Sequence, residues 1–390
     1  MRLLFICGAL GAGEFAASFA PTCAEGWAAV ALLAVVVALF GYGLAVRGWW
    51  LAAIFIAGAA LFLFAATEQE RLYREKPWLR GRVERRAGSE PPAAVRLVRR
   101  DFSQRVALGI ERDRETVSLC RAILLGERWR LSKQAKRLFV ESGTMHVFAI
   151  SGLHVMAIAD VLSFLLGFLF VPLRVRGVAA IPLLWGYVGL VGFAPSAVRA
   201  AVMATFQLLA PLLWRRPNGL RAWELTFLTV HVVNPLLVTN VGNALSFAVM
   251  LAIVIAGECG RGLSAGRQKL LTTVVAWAAG VPIAAHVFGR VTPGGMLANL
   301  VLISAAKTAV MSGAVGILAS YVSSSLAAHL NNFGALTVRA MVLTAEAVAR
   351  LPGANVETGC WSLAACAAWY AVCGFGALAL LARAGRSRVL

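Results

Sequence analysis

From Phe139 to Val155 the chain reads Phe-Val-Glu-Ser-Gly-Thr-Met-His-Val-Phe-Ala-Ile-Ser-Gly-Leu-His-Val, carrying three hydroxyls and two imidazoles into a long apolar run. In hydrocarbon such groups are costly unless they face protein or water, so they mark a working site. Ser151 and His154 are three residues apart and share one face of a continuous helix. Gly152 between them permits close backbone approach or a break. A Ser–His pair is the beginning of a nucleophile. The rest of that machinery is missing: there is no Gly-x-Ser-x-Gly elbow, and Asp160 falls about 120° round the helix from His154. His146 lies about 80° round, so the two imidazoles need not converge. A polar constriction, or a ligand for a passing phosphate, suits the pattern better. A set of satisfied interhelical hydrogen bonds is the plain alternative.

Other polar clusters follow. In Pro195-Ser196-Ala-Val-Arg199, Ser196 is placed to cap a helix starting after Pro195, with Arg199 in its first turn. Arg199 either snorkels to the interface or offers its fork to a phosphate, to Asp160 or to Glu258. Asn243 and Ser246, at i and i+3 after Asn240 and Gly242, form a stripe that either glues helices or lines a path. Pro282, His286, Phe288-Gly289, Gly294-Gly295 and Asn299 interrupt a further pair of spans, and broken helices at membrane depth point to a cavity. Lys307 reads as a lone charge facing the interior. Neither a metal site nor a cofactor is expected. The seven Cys lie mostly inside apolar runs without a Cys-x-x-Cys pair or zinc spacing to a His, and there is no P-loop.

These residues sit in a chain of 390 residues that is 60% hydrophobic and only 14% charged, with a mean hydropathy of +0.77. Soluble domains carry about a quarter charged residues. The composition therefore predicts an all-α polytopic transmembrane bundle. Spans of about 20 apolar residues are read at 3–21, 27–46, 49–66, 145–172, 177–194, 197–214, 223–239, 242–258, 270–289, 294–319, 333–350 and 361–382. The count is about 10–12, because 223–258 is either two short helices or a broken, partly re-entrant pair around Asn234-Pro235 and Asn240. Glu14 interrupts the first run and further spans follow it, so it reads as a retained helix rather than a cleaved signal.

Three regions result: N-terminal membrane helices over 1–66, a polar loop over 67–141, and a second membrane domain over 142–390. The loop holds 11 of the 18 acids and 19 of the 37 basic residues. Within it Ser89-Glu-Pro-Pro92 is a linker. Apolar residues at helical spacing from about Asp101 to Gly126 predict an amphipathic helix lying on the membrane or on the bundle. Ser132 caps a second short helix reaching Val140.

The net charge is +19. Arg174/Arg176, Arg215/Arg216/Arg221 and Arg261/Arg267/Lys269 form short basic loops, and the positive-inside rule puts them in the cytoplasm. Helix parity then makes the N terminus cytoplasmic and 67–141 periplasmic or extracellular. A basic face there would be the first met by an incoming polyanion, unless the segment is only a solvated linker with a membrane-surface helix.

The motifs resemble those of the ComEC family of competence membrane proteins. The 139–155 segment resembles the family signature, and Ala122-Ile-Leu-Leu-Gly126-Glu-Arg is similar to its lead-in. Pro195-Ser196-x-x-Arg199-Ala200 also matches, as does Asn234-Pro235 with Gly242 and Leu245-Ser246-Phe247. Pro282 … Phe288-Gly289 … Asn299-Leu300 completes the series, in the family's order across about residues 119–320. The chain departs from the pattern at Asn243-Ala244, where Phe-Gln is commoner, and at Ser304, where a Pro commonly stands. Relatives usually carry an OB-like domain ahead of the core. Here only Trp78-Leu-Arg-Gly-Arg-Val83 resembles its first strand, so 67–141 reads as a remnant. No His-x-His-x-Asp-His motif of the metallo-β-lactamase-like domain occurs. A DNA receptor, a nuclease and a motor are therefore expected from other proteins.

The resemblance implies a non-enzymatic inner-membrane channel core that takes up single-stranded DNA during natural transformation, in contact with lipid and compatible with a homo-oligomer. Its candidate path residues are His146, Ser151, Gly152, His154, Ser196, Arg199, Asn243, Ser246 and Asn299. Two other functions fit the residues: a transporter of a small anionic solute, and an intramembrane serine hydrolase built on Ser151 and His154.

Overall fold

A computed structural model of the protein describes residues 92–234, 237–238 and 240–373; the three spans expected before residue 67 lie outside them. Its architecture is helical, as the composition requires. The elements are α1 (Ala93–Arg105), α2 (Arg114–Leu125), α3 (Lys133–Glu141), α4 (Gly152–Phe168), α5 (Leu173–Leu190), α6 (Pro195–Leu209), α7 (Gly219–Val233), α8 (Val241–Cys259), α9 (Ala265–Phe288), β1 (Arg290–Val291), α10 (Pro293–Ala319), α11 (Ser324–Ala349) and β2 (Val356–Glu357). A further apolar helix, α12, covers Leu363–Cys373. Among the described residues three helices are long and apolar enough to cross a bilayer, namely α8, α9 and α10, and α4, α5 and α12 are shorter apolar helices. The protein is an all-α membrane bundle.

The chain divides into two compact units. Among the described residues, one includes 219–255 and 361–373 and the other takes 92–218 and 256–360. The second holds most of the described core. Its longest helices, α10 and α11, lie against each other through small residues. A side chain on Gly334 would come within 2.6 Å of Ser312 Oγ, and one on Gly316 within 2.5 Å of Asn331 Oδ1. Helix α4 lies against α5, α6 and α10, and α2 lies against α10 and α11. β1 and β2 pair antiparallel, Arg290 opposite Glu357, and close the turn between α9 and α10 with an ion pair of 2.7 Å.

The polar segment folds differently from the single amphipathic helix expected over 101–126. It makes two helices with a turn between them. Gly109 has φ +83°, and a Cβ there would meet Ala328 Cβ of α11 at 2.6 Å, so the backbone turns where only glycine fits. Asp113 then caps α2, taking the Thr116 N–H at 3.0 Å. Helix α2 lies on the bundle: Leu119, Ala122, Ile123 and Leu125 are all at most 2% exposed, and the Tyr187 hydroxyl of α5 donates to the Leu124 carbonyl. Ser132 caps α3, accepting from the Ala135 N–H at 3.0 Å, as its position in the sequence predicts. On the other side Asn331 donates both amide hydrogens to the end of α1, to the carbonyls of Arg105 (2.8 Å) and Leu108 (3.1 Å).

Two expectations follow. Bonds from Thr116, with Arg339 alongside, hold the Asp113 carboxyl down to a pKa of about 2. The folded group releases its proton more readily than the unfolded one, so its contribution is present above the ordinary carboxylate range and fades as pH falls toward 2. Asp113→Asn keeps an oxygen able to cap α2 but loses the charge that Thr116 and Arg339 stabilise, so it lowers the melting temperature in detergent at pH 7, and the gap from wild type narrows by pH 2.5. Asn331→Ala leaves the partly buried Arg105 and Leu108 carbonyls without their donor, which costs about 1 kcal/mol or more at any pH. An Asn331→Ala variant that melts with wild type removes the tie between α1 and α11.

Candidate functional site

The predicted residues of the first, second and fourth motifs gather in one unit, around the chain from Ser142 to Ser151. That segment is fixed first by backbone geometry. Gly143 adopts φ +71°, and a Cβ on it would lie 2.7 Å from Thr292 Cβ, at the start of α10. Ser142 and Thr144 are fully buried and share a hydrogen bond of 2.7 Å. A one-turn 3-10 helix, Met145–Phe148, follows. Phe148 packs edge-on against Phe139 at 4.6 Å between ring centres. His146 stays exposed on this turn and faces the Asn299 side chain of α10 and the Gly143 backbone. The contact with Asn299 is loose: the buried Asn299 Oδ1 has no partner at full hydrogen-bond geometry among the described residues.

The span expected to run unbroken from 145 breaks at Ser151. Its backbone is extended (φ −124°, ψ 179°) and forms the N-cap of α4. The break has a local cause. The Ser151 N–H donates to Nδ1 of His154 at 3.2 Å, and the Ser151 hydroxyl lies 3.1 Å from the same nitrogen. His154, at the third helical position, thus does what Glu or Gln does in a capping box. Because Nδ1 accepts, the neutral ring carries its hydrogen on Nε2. His154 is fully buried, and that Nε2 has no hydrogen-bond partner among the described residues. Its ring lies near His146 and Arg128, whose Nε donates to the Phe148 carbonyl at 2.8 Å. The 80° separation of the two imidazoles on an ideal helix does not apply, because the helix does not exist between them.

Helix α6 closes the second side. Ser196 does not cap it: Pro195 takes the first helical position and Ala194 precedes it as N-cap. Its hydroxyl instead donates across to the Ile150 carbonyl at 2.5 Å, tying α6 to the segment before Ser151. A Cβ on Gly152 would sit 3.8 Å from Ala200 Cβ, an ordinary contact between α4 and α6. Arg199, one turn beyond Ser196, is only 5% exposed, so it does not snorkel to an interface. Both acids expected as its partner are held elsewhere. Asp160 pairs with Lys307 of α10 at 2.8 Å, and Glu258 with Arg261 at 2.6 Å. Lys307, expected to be alone, therefore has a partner.

The third motif belongs to the other unit. Asn243 is buried there. It receives the backbone cap from Asn240 Oδ1, and its amide lies 3.1 Å from His231 Nε2 and 3.0 Å from the Leu237 carbonyl. The His231 Nδ1–H is directed at the Phe227 carbonyl, so Nε2 is the acceptor. Ser246 lies 3.6 Å from Met250 Sδ. His231 escapes notice in the sequence, because a lone His inside an apolar run carries no spacing signal.

A second group is also absent from the sequence reading. Glu127, 3% exposed, ion-pairs with Arg130 at 2.5 Å and lies 3.5 Å from Arg99. Burial lowers the Arg99 pKa and the Glu127 carboxylate pushes it back up. Arg99 also stacks over Trp129, 4.7 Å from the ring centre, and Trp129 is 63% exposed. Around it Arg128 and Arg130 are exposed. The face joins fixed guanidinium groups to an open indole, the elements of a stacking platform for single-stranded nucleic acid. One buried acid among many cations was the available signal.

Comparison with known proteins covers most of this region. The family model described as Competence protein matches residues 123–383, about two thirds of the chain. ComE operon protein 3 of Bacillus subtilis (strain 168) is 24% identical over 213 residues, which is 54% of this chain and 27% of that relative. The match therefore spans little more than a quarter of the relative's length. No solved structure matches. With the helical membrane fold and the clustered motifs of the 142–155, 195–200 and 292–299 segments, the match settles the family: the chain belongs to the competence protein family.

Proposed function

We propose that this chain is the membrane core of a DNA-uptake apparatus, and that a single strand passes through it without chemical change. One observation carries the reading: polar ends of three broken or capped segments, bearing His146, Ser151, His154, Ser196 and Asn299, converge within the part matched by the family model. Lipid would not tolerate such a cluster, and hydrated surroundings would. His154 supports it further, since its buried Nε2–H is a donor with no acceptor among the described residues, suited to a phosphate oxygen or a water. In this reading Gly152 lies at the constriction and Arg199 supports it from α6. The exposed cations around Trp129 receive the strand, on the periplasmic side if the basic loops are cytoplasmic. A receptor, a nuclease and a motor act from other chains.

The Ser151 hydroxyl lies 3.1 Å from a histidine nitrogen, which favours a second reading as a hydrolase. We propose no enzymatic role, because the same nitrogen already accepts the Ser151 N–H and no acid among the described residues bonds the ring.

Cells carrying the gene as their only copy test the proposal. Uptake of labelled single-stranded DNA into a nuclease-protected state is expected to fall at least tenfold in His154→Ala and in Ser151→Ala, at unchanged membrane levels. Wild-type uptake in both variants ends the path assignment. For the hydrolase, a serine-reactive fluorophosphonate is expected to label wild type and Ser151→Ala equally. Labelling lost only in Ser151→Ala would reinstate it.

A further inference from the structure

One charged pair inside the membrane helices stands apart from the clustered motifs. Lys307 lies in the middle of α10, and its ammonium reaches Asp160 in the middle of α4 at 2.8 Å. Both side chains are nearly half exposed, at 44% and 46%. A carboxylate and an ammonium open to hydrocarbon would each cost several kcal/mol, so at this depth they face protein or water. Their surroundings favour water. Ser304, three residues before Lys307, lies on its side of α10, and Thr308 follows Ser304 by one turn. Lys269 of α9 donates to the exposed Ser304 hydroxyl at 2.8 Å. The outer part of the same helix shows lipid-like residues instead, with Leu297 and Val301 exposed. After Val301 the strip of Ser304, Lys307 and Thr308 lies between the exposed apolar Ile303 and Leu318. It runs between α4 and α9, toward the loop bearing Arg261 and the first turn of α9, which bears Arg267.

We propose that this strip is the wall of a hydrated cleft that binds phosphate groups, with Lys307 as the principal ligand and Lys269, Ser304 and Thr308 beside it. The proposal rests on the strand-conducting reading above and adds its inner half. Two ammonium groups against one carboxylate give the cleft a net positive charge. Asp160 holds Lys307 when no phosphate is present and competes with each one that arrives. A lone lysine would trap a polyanion, whereas a lysine with a resident carboxylate exchanges it. Binding is therefore weak at each step, as conduction requires.

The test is thiol accessibility in membrane vesicles of the full chain, read by mass spectrometry peptide by peptide so that the native cysteines remain. Ser304→Cys and Thr308→Cys are each exposed to an anionic and a cationic methanethiosulfonate reagent. Arg261→Cys serves as loop control and Val301→Cys as lipid control. The expected result is modification of positions 304 and 308 at least tenfold faster than position 301, with a severalfold preference for the anionic reagent. That preference should vanish when Lys307→Met is added, and a single-stranded oligonucleotide should slow the labelling. If Ser304→Cys does not accumulate, Thr308→Cys carries the same reading. Silence at 304 and 308 while 261 reacts means a dry face, covered by lipid, another segment or another copy, and overturns the cleft. Labelling with no charge preference and no protection by the oligonucleotide overturns the phosphate site. Anion-selective labelling together with no DNA uptake by wild type would leave the cleft standing and remove the strand-conducting function instead.

Discussion

Hydrocarbon supplies no hydrogen bonds and screens no charge, and that constraint organises the whole protein. Every break in a helix must be repaired by the chain itself, so each one becomes a place where side chains are used structurally. At Ser151 the repair is His154, turned back to take the N–H that the missing turn would have satisfied. At the start of α6 it is a proline that has no hydrogen to satisfy, leaving the neighbouring Ser196 hydroxyl to bind another segment. The polar residues that mark the candidate site are thus first the means by which interrupted helices survive in a membrane. Any transport they support is built on that repair.

Burial away from water, in lipid or in protein, sets the two buried or half-buried charge systems. Glu127 is tolerated away from water because guanidinium groups surround it. Asp160 and Lys307 are tolerated because they hold each other. Removing one member of such a pair is expected to hurt more than removing both, since the survivor is left uncompensated. The systems differ in surroundings: the first is sealed under an exposed indole, and the second opens sideways between helices.

Much of this is legible in the sequence wherever the cause is local. The Ser132 cap, the polytopic composition, the interruption near Gly152 and the turn signals around residues 289–295 all follow from neighbouring residue types. The failures share a reason. The continuous helix over 101–126 fails because Gly109 is shaped by Ala328 of α11, far along the chain. Of the acids within reach of Arg199 by type, Asp160 is instead held by Lys307, and Ser196 leaves its own helix uncapped because its acceptor is Ile150. A single sequence ranks polar residues by type and spacing. It does not say which distant backbone carbonyl or opposite charge will reach them first.

The amide of Asn331 grips two carbonyls at the end of α1 while Gly316 leaves room for its oxygen on α10. Three helices are therefore indexed to one another at a single residue, like gear teeth meshed at one point. A one-residue insertion between Asn331 and Gly334 would rotate everything beyond it by about 100° and disengage that mesh. Length variation among relatives should accordingly be rare within this stretch of α11 and concentrate in the turn that follows Ala349.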